Sequence, residues 1–158
     1  MEKPAKRVSD SFVETIHVVR PVHINSAGRL FGGTLMQWMD EVAGLTSKRH
    51  THGMTTTASV DNLQFLRAAY QSDIIVITGK ITYVGNTSME IRVETFIESR
   101  DGSRCEINRA YFTMVAIDEN DKPARVPRLI LETPEEKEEW ANAEKRREMR
   151  KMRTAQGF

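Results

Sequence analysis

The chain has one cysteine, Cys105, among its 158 residues. That excludes an internal disulfide framework, so folding must rest on a buried core. No run approaches the roughly 18 consecutive apolar residues a membrane-spanning helix needs, so membrane insertion is not expected. The opening MEKPAKRVSDSF lacks the apolar centre of a secretory signal, and a cytoplasmic setting is expected. Charge of either sign is also not in excess: 23 Lys and Arg face 22 Asp and Glu, a net charge of +1, which gives no electrostatic case for nucleic acid. Metal-ligand patterns are missing too. His50 and His52 lie two apart with no third ligand at suitable spacing, and Cys105 stands alone in a strand pattern, where it reads as a small apolar residue. No Ser, His and Asp set or phosphate-loop motif is present. A chain of this length suits one compact domain.

The most informative segment is residues 25–44, NSAGRLFGGTLMQWMDEVAG. Gly32 and Gly33 directly precede a helical pattern, where they permit a sharp turn and leave the first helical N–H groups bare. Such amides, with the partial positive charge of the helix dipole, suit an oxygen that becomes negative during a reaction. Leu35, Met36, Met39, Val42, Ala43 and Thr46 recur at helical spacing as a stripe for burial. Asp40 stands four residues after Met36 and three before Ala43. It is therefore expected to project toward the interior, where a carboxylate is uncommon without a function, with a partly exposed helix carboxylate as the equal alternative. Glu41 points about 100° away and reads as a solvated charge.

Beyond the helix the period changes. Residues 57–66, 74–84, 88–97 and 105–117 are rich in Val, Ile, Thr, Tyr and Phe and read as strands, as do residues 13–20 before the helix. In MEIRVETF, Met89, Ile91 and Val93 share one face, while Glu90, Arg92 and Glu94 share the other, which reads as wet. Gly85 with Asn86, and Asp101 with Gly102, supply hairpin turns. The sheet is expected to be antiparallel, giving an α+β order of strand, long helix and four strands in a meander.

At the C-terminus, Thr133, Pro134 and Glu136 form an N-cap, first-turn proline and capping box, so a helix should begin there. Its acidic start and basic end suit one helix dipole. It reads chiefly as a solvated helix anchored by Trp140, with a basic arm for nucleic acid or CoA phosphates as the functional alternative. The expected organisation is a flexible 1–10, a domain over 11–131 and a charged helix and tail over 132–158.

Asn25, Gly28, Phe31, Gly32, Gly33, Met39 and Asp40, with the order of elements, resemble the hotdog-fold acyl-CoA thioesterases, specifically the acyl-CoA hydrolase subgroup with an Asn and Asp pair. The resemblance runs from about residue 11 to about residue 131 and includes SVDNLQFLRAAYQSD at 59–73. Where the family often has Pro and Gly, this chain has Ala68 or Ala69 and Ser72, so the turn into the following strand is expected to differ. The resemblance implies an antiparallel sheet of about five strands wrapped around one long helix, in a homodimer whose sheets join edge to edge. It implies further assembly into a trimer of dimers, a homohexamer. Each site would take Asn25 from one subunit and Asp40 from the other.

On that basis Asp40 would serve as general base on water, or less readily as nucleophile, in hydrolysis of an acyl-CoA to a carboxylic acid, as in fatty acid metabolism, and CoA. Gly32 and Gly33 would receive the oxyanion, and Asn25 would hold water or the thioester carbonyl. Coenzyme A enters as part of substrate and product, and no cofactor or metal is expected. The turn Val84, Gly85, Asn86, Thr87, Ser88 resembles a family segment that meets CoA, with hydroxyls from Thr87 and Ser88. Arg67, Arg92 and Arg104 are candidate phosphate partners, Arg67 and Arg92 foremost. Two alternatives belong to other classes: a non-catalytic acyl-CoA sensor, which needs no acid at position 40, and an enoyl-CoA hydratase or dehydratase, for which His17 and His23 sit in no matching motif.

Overall fold

The computed structural model describes residues 4–158. A short strand β1 (Lys6–Arg7) and a 3-10 turn (Ser9–Ser11) lead into β2 (Val13–Val18). A second 3-10 turn (Pro21–His23) and a loop precede the helix α1 (Gly32–Thr51). Four long strands follow, β3 (Met54–Phe65), β4 (Ile74–Val84), β5 (Ser88–Glu98) and β6 (Arg104–Ile117), then β7 (Leu129–Ile130) and the helix α2 (Pro134–Gln156). Within the segment 1–10, expected to be flexible, Lys6 and Arg7 pair in parallel with Leu129 and Ile130; residues 1–3 of that segment lie outside the described residues.

The long strands form one antiparallel sheet in the order β2-β4-β5-β6-β3, the hotdog arrangement. The meander expectation holds for β4 to β6 only. The connection through α1 carries the chain across one face of the sheet, so β3 becomes the far edge beside β6, and β2 and β3 are the two edges.

Helix α1 buries Leu35, Trp38, Met39, Val42, Ala43, Thr46 and His50 against the sheet. Facing it are Ile75 and Ile77 of β4, Ile91 and Val93 of β5, and Ala110 and Phe112 of β6, all members of the same core. Gly79 explains how closely helix and strand approach. A Cβ there would lie 2.5 Å from Thr46 Oγ1 and 2.7 Å from Val42 Cγ1, so a larger residue in mid-β4 would push the helix away. Trp38 is sandwiched by aromatic rings: His17 stacks on it with centroids 4.2 Å apart and His23 meets it edge-on at 4.9 Å. Both histidines thereby serve packing.

The opposite face of the sheet overturns the expectation of a wet face. Glu90 is buried, and Arg92 and Glu94 are largely covered, because α2 lies across them. The helix begins as its capping box requires, with Thr133 Oγ1 accepting from the Glu136 N–H and the Glu136 carboxylate accepting from the Thr133 N–H. Trp140 packs on Tyr83 with centroids 4.4 Å apart. Arg146 donates to Glu90 at 2.7 Å and lies over the Tyr111 ring, and Arg150 donates to Asp61 at 2.8 Å. The helix is thus solvated along one side only: on the other, its cations neutralise carboxylates that the sheet would otherwise bury with fewer partners.

Candidate functional site

The loop before α1 is organised by Asn25. Its Oδ1 accepts from the backbone N–H of Ala27 at 2.9 Å and of Arg29 at 3.1 Å, while its own N–H donates to Arg29 O at 2.8 Å. Gly28 completes the turn with φ of 74°, a conformation that favours glycine. With Oδ1 spent inside the turn, the Nδ2 group is the free hydrogen-bonding end of Asn25, and it is a donor.

This loop borders a cavity of about 330 Å³ walled by Asn25, Gly32, Leu35, Phe65, Arg67 and Ile107 among others. The N-cap residue of α1 is Phe31, and no side chain caps the helix, so the amides of its first turn are open as the paired glycines suggest. Gly32 forms part of the cavity wall. Arg29 and Arg67, both exposed and without a side-chain partner among the described residues, place two guanidinium groups at this cavity. Nothing in the sequence singled out Arg29.

Asp40 does not point into the interior. It is exposed on the chain, as is Met36 at 43%. The buried stripe is centred on Met39, Val42 and Thr46, which puts Asp40 about 100° round the helix from its centre, on the flank facing β3. There Oδ1 accepts the Thr57 hydroxyl at 2.5 Å. Thr57, on the inner side of the edge strand, also approaches Met114 Sδ at 3.4 Å. The run Thr55, Thr56, Thr57 was the available signal for it, but strand propensity alone explains threonines there.

Within one chain, Asn25 and Asp40 are not brought together. Eight residues of helix separate Gly32 from Asp40, about 12 Å of rise. The other candidates divide likewise. The turn at Gly85 closes through Gly85 N–H to Ser88 O at 2.8 Å and is braced by Arg128, which donates to Gly85 O, and by Val126 N–H to Asn86 O at 3.0 Å. It sits at the Thr57 end of the sheet, since Met89 pairs with Met114, the partner of Thr57. The Thr87 and Ser88 hydroxyls have no partner among the described residues. Arg92 lies on the opposite face of the sheet, paired with Glu94 at 3.1 Å and Glu139 at 3.2 Å. Arg104 is paired with Glu14 at 2.8 Å and Glu98 at 2.9 Å.

Apolar side chains surround both halves. Phe31, Met36, Val60, Phe65 and Leu66 are exposed along the flank of α1 and the edge strand β3. An edge strand beside such a surface invites a partner strand. Among the described residues no three His, Cys, Asp or Glu groups are placed to hold a metal ion, and no helix is long and apolar enough to cross a membrane.

Comparison with known proteins gives this geometry relatives. Residues 27–103 match the thioesterase superfamily. An acyl-CoA thioester hydrolase of Bacillus subtilis is 38% identical over 138 residues, covering 86% of this chain and 80% of its own. The cytosolic acyl coenzyme A thioester hydrolase of Rattus norvegicus is 36% identical, and this chain spans 36% of its length. The acyl-CoA hydrolase of Staphylococcus aureus, solved with butyryl coenzyme A, coenzyme A and coenzyme A disulfide, superposes with a TM-score of 0.91 at 33% identity, over 98% of this chain and 94% of that one. Variants of that enzyme with one Asp, one Asn or one Thr replaced by alanine have also been solved. An apo-hexameric acyl-CoA thioesterase superposes with a TM-score of 0.92 at 34% identity, over 97% of this chain and 99% of that one. The chain belongs to the acyl-CoA thioester hydrolases of the thioesterase superfamily.

Proposed function

We propose that this acyl-CoA thioester hydrolase attacks the thioester carbonyl with a water activated by Asp40, at a site that two protomers build together. The observation that carries the reading is the division of labour within one chain: Asn25 and Gly32, the first residue of α1, line one cavity, while Asp40 lies outside it, bonded to Thr57. Antiparallel joining of two β3 edges would bring the Thr57 end of one chain to the Phe65 end of the other. That motion places the Asp40 carboxylate of one protomer opposite the Asn25 cavity of its partner, and carries the Gly85, Thr87 and Ser88 turn to the same end as Arg67. The three residue types changed singly in the S. aureus enzyme are spaced along that chain as Asn25, Asp40 and Thr57 are here.

In this arrangement Thr57 occupies Oδ1 of Asp40 and leaves Oδ2 to accept a proton from water. The water oxygen bonds to the carbonyl carbon, and the carbonyl oxygen gains negative charge facing Asn25 Nδ2 and the N–H groups of Gly32 and Gly33. Collapse of the tetrahedral intermediate breaks the C–S bond, releasing the carboxylic acid and the CoA thiolate. No cofactor is required by this chemistry. Arg67 and Arg29 supply charge for CoA phosphates, and Thr87 and Ser88 supply hydroxyls; Arg92 is already neutralised by carboxylates. Assembly of three such dimers into a hexamer, and a cytoplasmic setting, complete the proposal.

The test is thiol release from acetyl-, hexanoyl- and palmitoyl-CoA by the wild type and Asp40→Asn, with remixed Asn25→Ala and Asp40→Ala chains. A shared site gives back about a quarter of wild-type activity on random remixing, because each mixed dimer keeps one intact site. A site within one chain gives back none. Tight binding of acyl-CoA without release from any chain length would instead favour a sensor.

A further inference from the structure

A row of directly paired residues crosses the α1 face of the sheet: Thr15, Ile77, Thr95, Asn108 and Phe65 on β2, β4, β5, β6 and β3 in turn. Neighbouring rows on this face, Val93 with Ala110 and Ile91 with Phe112, are wholly apolar core. In this one row the polar side chains are buried and unpartnered. Thr95 and Asn108 are each 0% exposed, and Thr15 Oγ1, Thr95 Oγ1 and both Asn108 Nδ2 and Oδ1 have no hydrogen-bond partner among the described residues. Buried polar groups are ordinarily paired, and an asparagine amide with both ends free is a demanding exception.

The row runs directly behind the cavity at Asn25. Phe65, the cross-strand partner of Asn108, forms part of the cavity wall, and so does Ile107. Ile107 is the extra residue of a bulge, since Thr95 pairs with Asn108 while Phe96 pairs with Glu106. A bulge at this place aims Ile107 and Asn108 toward the same region. Directly paired side chains lie about 5 Å apart at Cβ, so Asn108 sits one pairing from the Phe65 wall and Thr95 one pairing beyond it.

We propose that Asn108 and Thr95 bind a hydroxyl group carried on the acyl chain, making hydroxyacyl-CoAs the favoured substrate class of this site; the inference rests on the thioesterase reading above. A hydroxyl both donates and accepts. It matches an amide offering N–H and C=O beside a threonine hydroxyl, whereas a plain hydrocarbon tail would leave all of them unpaired. Phe65, half-exposed at the mouth, is the side chain whose displacement opens the way.

The experiment compares kcat/KM for thiol release from butyryl- and hexanoyl-CoA with 3-hydroxybutyryl- and 6-hydroxyhexanoyl-CoA, using the full chain. The wild type is expected to favour at least one hydroxylated chain over its plain counterpart by about tenfold or more. Asn108→Leu and Thr95→Val, which keep side-chain size while removing the polar atoms, should each shrink that ratio, and Thr95→Val carries the test if Asn108→Leu does not fold. Equal kcat/KM for plain and hydroxylated chains in the wild type overturns the inference and leaves the thioesterase reading standing. So does a preference that survives both substitutions. No thiol release from any acyl-CoA removes both readings.

Discussion

The Thr57 hydroxyl donates to Asp40 Oδ1 across 2.5 Å, joining the edge strand of the sheet to the exposed flank of the long helix at the carboxylate assigned to water activation. A hydrogen bond to a charged group contributes about 1.5–3 kcal/mol, so Thr57→Val is expected to lower kcat by roughly 10- to 100-fold. Thr57→Ser, which keeps the hydroxyl, should retain most of the rate. A Thr57→Val enzyme as fast as the wild type would remove Thr57 from the machinery.

Asp40→Asn preserves shape and removes the carboxylate proposed as base. Loss of general-base assistance typically costs about 10²- to 10⁴-fold in rate, and thiol release should fall within that range while the circular dichroism spectrum and unfolding midpoint hold. A fall of less than about tenfold would point to a different base.

The proposed pairing of two β3 edges can be tested at the edge itself. Val60 lies on β3 and is 38% exposed. Val60→Lys places a charge on the edge strand and should reduce the particle mass measured by light scattering, with activity falling in step if the proposed site is shared between protomers. A monomer of full activity would refute the shared site.

Stability should fall with mild acid. His50 is buried, with Nε2 donating to Pro127 O at 3.0 Å and Nδ1 facing the Ser11 hydroxyl at 3.2 Å. Burial is the main cause that pushes its imidazole below the ordinary 6.5, and burial acts on His17 in the same direction. The unfolded chain therefore takes up protons that the folded one refuses. This stabilisation is complete above about pH 6.5 and is lost as pH drops below that value through the folded pKa. The unfolding midpoint should be lower near pH 5 than near pH 7.5, with a shallower slope in His50→Gln; an unchanged slope would contradict the assignment.

Beneath α2, Arg146→Ala removes the main cationic partner of the buried Glu90 carboxylate, leaving it the Thr82 hydroxyl at 2.7 Å and Arg150 at 4.0 Å. Breaking such a pair costs about 3–5 kcal/mol, or roughly 10 °C in unfolding midpoint for a chain of this size. The double variant Arg146→Met with Glu90→Met, which removes both charges, should return close to the wild-type midpoint.

Local chemistry made much of this fold legible. The capping box at Thr133 and Glu136, the turns at Gly85 and Gly102, and the alternation of Met89, Ile91 and Val93 each act over a few residues, and each is where the sequence places it. What depends on distant partners was not legible. Glu90, Arg92 and Glu94 alternate like a solvated face, and only the arrival of α2 some fifty residues later covers them. Asp40 was misdirected because a spacing of three or four from apolar residues marks both the middle and the margin of a stripe, and Met36, taken as buried, stands at that margin. Thr57 was hidden among threonines that strand propensity already explains.

The turn at Asn25 also bears on how the protein ages. Spontaneous hydrolysis of that side chain to aspartate would leave an oxygen able to accept from the Ala27 and Arg29 amides as Oδ1 does now, so the loop would hold its shape. The outward donor, however, would become an acceptor carrying negative charge, opposed to the carbonyl oxygen that the proposed mechanism charges. Such damage would be silent to melting curves and spectra, and would show only as a change in mass matched to lost turnover.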